Sequence, residues 1–164
     1  MAANTLPFGY GEKASLAADP GRQTDVGNLY YAGNAAYRMV QCVTTALLLT
    51  ANGKFVDDNS TGTTGLNYRT AALAAVTSFK ALGVVSTAQQ SLNIGDFFLV
   101  QVSGNASITG ANTVTVGNAI TTAAGGLVAN VTGTYAATVS ATIFGTALIT
   151  AAGAATTVRL QNLV

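Results

Sequence analysis

Apolar and polar positions alternate most clearly in the second half of the chain. Over Asp96–Ser103, Phe98, Val100 and Val102 fall on one face and Phe97, Leu99, Gln101 and Ser103 on the other, the period of two that a strand imposes. Thr113–Val116 and Thr157–Gln161 alternate in the same way, with Arg159 on the outward face. Glycines at 95, 104, 110, 117, 125, 126, 133, 145 and 153 break these runs at about eight-residue spacing. Short strands punctuated this regularly predict an all-β fold, a small β-barrel or a sandwich. Alanine is frequent, but it does not fall at helical spacing, and β-branched Thr and Val dominate. No fixed-length repeat is present, which argues against a β-solenoid.

The middle of the chain is less regular. Tyr37–Leu49 reads as one or two strands. Asn52-Gly53 then signals a tight turn, and Lys54-Phe55-Val56 a returning strand, so a hairpin is expected here. Asp57–Gly65 reads as a polar loop. Tyr68–Leu82 admits two readings. Leu73, Val76, Phe79 and Leu82 recur every three residues, as on a helix, with Gly83 as a possible C-cap. Strand-loop-strand is the favoured alternative. Residues 1–36 show no period of either kind; Pro7, Pro20 and several glycines exclude long regular elements. Phe8, Tyr10, Tyr30 and Tyr31 are scattered through them. This is an expected extended N-terminal arm with aromatic anchors, ahead of a β domain over residues 37–164. A poorly ordered terminus is the alternative, but such tails seldom carry this many aromatics.

Composition narrows the function classes. Charged residues make up 8% of the 164-residue chain, against about 25% in ordinary globular proteins. Net charge is +1, and residues 97–164 carry one charged side chain, Arg159. Seven scattered Lys and Arg residues cannot build a dense phosphate-binding surface, so no nucleic-acid partner is expected. Val40–Ala51 is too short to span a membrane, and Val139–Ala155 is interrupted by Ser140, Thr142, Gly145, Thr146, Thr150 and Gly153. No basic cluster flanks either stretch, so no membrane partner is expected. The N-terminus lacks the basic and apolar regions of a secretory signal. The protein is therefore expected to be made in the cytoplasm, to act there or to leave it as part of a particle.

Candidate chemistry is sparse. With no histidine in the chain, the commonest general base and metal ligand is missing. Cys42 has no His to pair with and reads as a small buried hydrophobe. Gly9-Tyr-Gly11-Glu-Lys-Ala14 fits a dinucleotide fingerprint on paper but follows no strand and opens no βαβ unit. Asp57-Asp58-Asn59 could hold a cation, though a solvated loop tip is the plainer reading. Asp96, after Gly95, reads as a turn carboxylate bonding local N–H groups. Three glycosylation sequons match by chance in so Ser- and Thr-rich a chain. No catalytic residue, cofactor or metal ligand is expected, and the composition points to a structural or binding protein.

An ordered set of short segments adds a resemblance. Leu82-Gly-Val-Val85, Asn93-Ile-Gly-Asp-Phe-Phe-Leu-Val-Gln-Val-Ser-Gly-Asn-Ala106, Val116-Gly-Asn-Ala-Ile120, Gly126-Leu-Val128, Phe144-Gly-Thr-Ala-Leu148 and Thr157-Val-Arg-Leu160 follow one another in this order. The set resembles the capsid decoration (cement) proteins of tailed bacteriophages, with Tyr37–Val40 and Asn52–Val56 extending the likeness upstream. The resemblance implies a small β-barrel or β-tulip domain on the outer capsid surface of the virion. It implies a homo-oligomer, often a trimer, that staples neighbouring major capsid subunits and stabilises the shell. In this family an N-terminal segment commonly adds to capsid strands, which makes Leu6, Phe8, Tyr10, Arg22, Tyr30 and Tyr31 the candidate capsid contacts, since aromatics and Arg are the types that anchor interfaces. Tyr30 and Tyr31 could equally pack on the protein's own domain. Another virion component, of the tail tube, connector or fibre, is the alternative.

Overall fold

The computed structural model describes residues 6–43, 47–48, 53–60, 66–75, 78, 80–85, 91–131, 143–153 and 155–161. The described residues form strands β1 (Lys13–Ser15), β2 (Leu29–Ala32), β3 (Ala35–Cys42), β4 (Leu47–Leu48), β5 (Lys54–Asp58), β6 (Arg69–Leu73), β7 (Ala81–Val85), β8 (Ser91–Leu92), β9 (Asp96–Thr109), β10 (Thr113–Val114), β11 (Ala119–Ala123), β12 (Leu127–Asn130), β13 (Gly145–Ala147), β14 (Ala151–Ala152) and β15 (Ala155–Leu160). Two short 3-10 turns, Pro20–Asp25 and Ala124–Gly126, are the helical pieces among them. The fold is all-β, as the alternation and the glycine spacing predict.

The 14-residue strand β9 organises the sheet. Its first half pairs antiparallel with β3 through Ala36↔Ser103 to Gln41↔Phe97. Its second half pairs with β15 through Leu160↔Gly104 to Ala155↔Thr109. The partner changes at Gly104, whose φ of +89° suits glycine and where a Cβ would lie 2.8 Å from the Asn34 carbonyl oxygen. From β9 the ladder runs through β7, β5 and β6 back to β3, and β3 pairs with β9. Five strands thus close a ring of pairings, in which β3–β6 is the parallel contact. On the other side β15 leads to β13, β11 and β12.

Three apolar clusters follow from this path. Val40 and Cys42 of β3, Val56 of β5, Leu82 and Val85 of β7, and Phe98, Val100 and Val102 of β9 form one core. Phe55 and Val84, from the same strands, pack instead with Ile108, Ile120, Val128, Phe144, Val158 and Leu160. The third cluster joins Tyr30, Met39, Phe97 and Leu99. The first half of β9, Asp96–Val102, is therefore buried on both faces. Fully burying each Phe or Leu is worth about 1.5–3 kcal/mol, so this strand supplies a large part of the driving force for folding.

Among the described residues, no hairpin is present across Asn52-Gly53. β4 pairs with β8, while β5 pairs with both β6 and β7. Phe55 and Val56 are each fully buried, so β5 needs cover on both faces and both edges, which a central position provides and a two-stranded hairpin cannot. Gly53 instead bridges Ile108, and its carbonyl accepts the Thr109 N–H. Asn52 lies outside the described residues. The strand-loop-strand reading of Tyr68–Leu82 holds in β6 and β7; Val76 and Phe79 of the helical alternative lie outside the described residues. The alternation over Thr113–Val116 ends early. β10 stops at Val114, the chain turns at Gly117, and Val116 is left exposed.

Candidate functional site

The N-terminal segment is laid across the outer face of β3 and β9. β1 pairs with the start of β9, Lys13↔Phe98 to Ser15↔Asp96. β2 forms a hairpin with β3, with Tyr30↔Tyr37 and Tyr31↔Ala36 in register. The pairing thus crosses residue 36. Lys13 Nζ lies 2.8 Å from Asp96 Oδ2, and the same carboxylate oxygen accepts the Asn93 N–H at 2.8 Å. The turn role read for Asp96 is therefore present. Its partner Lys13 was not legible, because 83 residues separate the two in sequence.

The six candidate contacts divide five to one. Leu6, Phe8 and Tyr10 are half-buried and pack, with Leu16, Val26 and Tyr37, against the cluster of Tyr30, Met39, Phe97 and Leu99. The Tyr10 hydroxyl donates to the Val84 carbonyl at 3.0 Å, and its ring meets Tyr37 at 5.0 Å between centroids. Arg22 sits 5.3 Å from the centroid of Phe8 and pairs with Asp19 at 2.8 Å and Asp25 at 3.7 Å. Tyr30 is buried. Tyr31, one residue on and on the other face of β2, is 55% exposed. Burial pushes the phenols of Tyr10, Tyr30 and Tyr37 above their ordinary range; the Tyr37 ring adds to the effect on Tyr10, and the Asp25 charge adds to that on Tyr30.

Elsewhere the polar side chains serve the fold. Asp58 is buried, not a solvated tip: it accepts the N–H groups of Ser60, Asn67 and Tyr68 at 2.7, 2.9 and 2.7 Å. These bonds hold Tyr68 at a φ of +56° beneath the Arg38 guanidinium, 4.6 Å from its ring centroid. Asp57 accepts the Ala75 N–H and the Ser78 hydroxyl. Cys42 is buried in the ring core. Among the described residues no three His, Cys, Asp or Glu side chains gather as a metal could use.

Four exposed large apolar side chains among the described residues were not singled out from sequence: Leu66 before β6, Ile94 at the β8–β9 turn, Val116 after β10 and Ile149 before β14. The Val116 N–H donates to Thr150 Oγ1 at 3.0 Å, which joins the two loops. Residues 97–158 contain no charged side chain, so these two loops carry none.

No family model matches the chain, and no curated protein matches it. A solved structure is similar to it in fold. The chain is similar to the head fiber gp8.5 N base in bacteriophage phi29, with a TM-score of 0.50 and 16% identity, over 77% of this chain and 94% of that one. At this identity the likeness is one of fold, and it takes in nearly the whole of the phage protein's base.

Proposed function

We propose that this chain is a structural protein of a phage virion, bound to the outer surface of the assembled capsid, where it bridges neighbouring major capsid subunits. The likeness to the base of a head fiber carries this reading, because that match covers almost all of the neighbour. The ordered segments quoted above and the neutral, hydroxyl-rich second half support it. A protein that binds the assembled lattice and not free subunits stabilises the shell by mass action, and many bridging copies add avidity. A specific contact of this kind requires roughly 1,000 Å² of buried surface or more. Assembly as a homo-oligomer belongs to the same reading.

The first 36 residues are the attachment segment in this account, and Tyr31 is their outward anchor. Leu6, Phe8, Tyr10, Arg22 and Tyr30 act from behind, by holding β2 against the domain. Purified protein co-sedimented with capsids that lack it tests this directly. Saturable binding is expected, with Tyr31→Ser about tenfold weaker or more and equally stable when free, as for an aromatic hot spot worth about 2 kcal/mol. Absence of binding to heads would overturn the assignment, and unaltered binding by Tyr31→Ser would remove the anchor.

The fold match favours one second reading, a head-fibre base that fixes a projecting fibre to the capsid. Copy number separates the two. A stapling protein saturates at a number commensurate with the capsid subunits, and a fibre base at far fewer.

A further inference from the structure

The start of β3, the bend of β9 and the end of β15 meet at one place. Along one side of β9 the pairing partner changes there, from Ala36 opposite Ser103 to Leu160 opposite Gly104. Between the two strand ends lies an open cleft of about 520 Å³, lined by Asn34, Ala35, Gly104, Asn105, Arg159 and Leu160. Gly104 has no side chain to fill it.

The cleft carries donors that no described residue uses. Of the four arginines, Arg22 pairs with Asp19 and Asp25, Arg38 stacks on Tyr68, and Arg69 Nε donates to Gln41 Oε1. Arg159 has neither an acceptor nor an aromatic ring among the described residues. The chain's six acidic side chains are all engaged elsewhere. Asp96 holds Lys13, Asp19 and Asp25 hold Arg22, Asp57 and Asp58 accept backbone N–H groups, and Glu12 accepts the Gly9 N–H. The side-chain amides of Asn34 and Asn105 also bond nothing among the described residues.

We propose that this cleft binds a carboxylate, held by the Arg159 guanidinium and the side-chain amides of Asn34 and Asn105. The planar guanidinium fork matches a carboxylate with two parallel N–H···O bonds, which ammonium groups cannot reproduce. The amides add donors at the sides, and Ala35 and Leu160 supply apolar walls. An Asp or Glu side chain of a partner protein and a free small carboxylate share this chemistry. The inference does not depend on the capsid assignment.

The test is a titration of the full isotope-labelled chain, followed by NMR at the Arg159 Nε–H and the Asn34 and Asn105 side-chain amides. Three probes are used separately: acetate, a blocked tripeptide with a central aspartate, and inorganic phosphate. Saturable shifts at all three groups with acetate or peptide are expected, lost in Arg159→Gln while the rest of the spectrum stays that of the folded protein. Tighter binding of the peptide assigns the site to a protein partner; equal binding assigns it to a free carboxylate. Absence of saturable shifts, shifts that survive in Arg159→Gln, or phosphate binding more tightly than both would overturn the proposal. Arg159→Lys keeps the charge and loses the fork, and serves if Arg159→Gln does not fold. It is expected to bind at least fivefold more weakly, and unchanged binding would overturn the proposal too.

Discussion

Tyr30 and Tyr31 are neighbours in sequence and opposites in the structure. A strand turns successive side chains to opposite faces, so β2 buries one ring and exposes the other. That two adjacent tyrosines would divide this way was legible from a strand assignment, but residues 1–36 offer no alternation from which to make one. Glycines and prolines hide the short strands, and their pairing is set by partners far along the chain. The buried phenols carry a consequence for pH. In the unfolded chain tyrosine ionises near pH 10, whereas burial holds Tyr10, Tyr30 and Tyr37 in the neutral form to higher pH. The unfolded state therefore loses protons first as pH rises. This contribution to stability is whole below about pH 10 and is lost progressively above it. Thermal melts between pH 8 and 11 are expected to show a falling midpoint, with a shallower fall in Tyr10→Phe. At pH 8 that variant is expected to lose about 1 kcal/mol, because the Val84 carbonyl loses its donor. A midpoint that stays flat to pH 11 would contradict the burial of these rings.

At the scale of elements, β9 is the strand on which the rest depends. Its alternation was plain in the sequence, and the split of Phe98, Val100 and Val102 from Phe97 and Leu99 is the split between two cores. That both faces of its first half are buried was not legible. The cover over Phe97 and Leu99 comes from residues 6–37, and no local pattern announces a contact across some 60 residues or more of chain. β5 teaches the same lesson in reverse. Asn52-Gly53 is a sound hairpin signal, yet the two fully buried apolar faces of Phe55 and Val56 draw the strand between β6 and β7. Leu99→Ala is expected to destabilise the protein by about 2–5 kcal/mol, and to free the N-terminal segment for proteolysis before the domain unfolds. Urea unfolding with limited proteolysis reads both effects. A loss below about 0.5 kcal/mol, the range of ordinary surface substitutions, would show that the segment does not seal this face.

At the scale of the whole molecule, polarity is distributed lengthwise. All six acidic residues and six of the seven basic ones lie in residues 1–96, and residues 97–164 keep only Arg159. The charged side chains mostly lock the chain to itself: Lys13 to Asp96, Arg22 to Asp19 and Asp25, Asp58 to the turn below Tyr68. Among the described residues, what remains for partners includes the uncharged exposed groups Tyr31, Leu66, Ile94, Val116 and Ile149, and one arginine in a cleft. That distribution fits a protein whose work is attachment. The fold class was legible because it rests on local alternation and turn chemistry. The outward-facing surface was not, because exposure is decided only when the strands are assembled. The most direct measurement is electron microscopy of virions carrying a gold-labelled copy of this chain. The account predicts label distributed over the outer surface of the head. Label confined to the tail, or absent from virions, would contradict it.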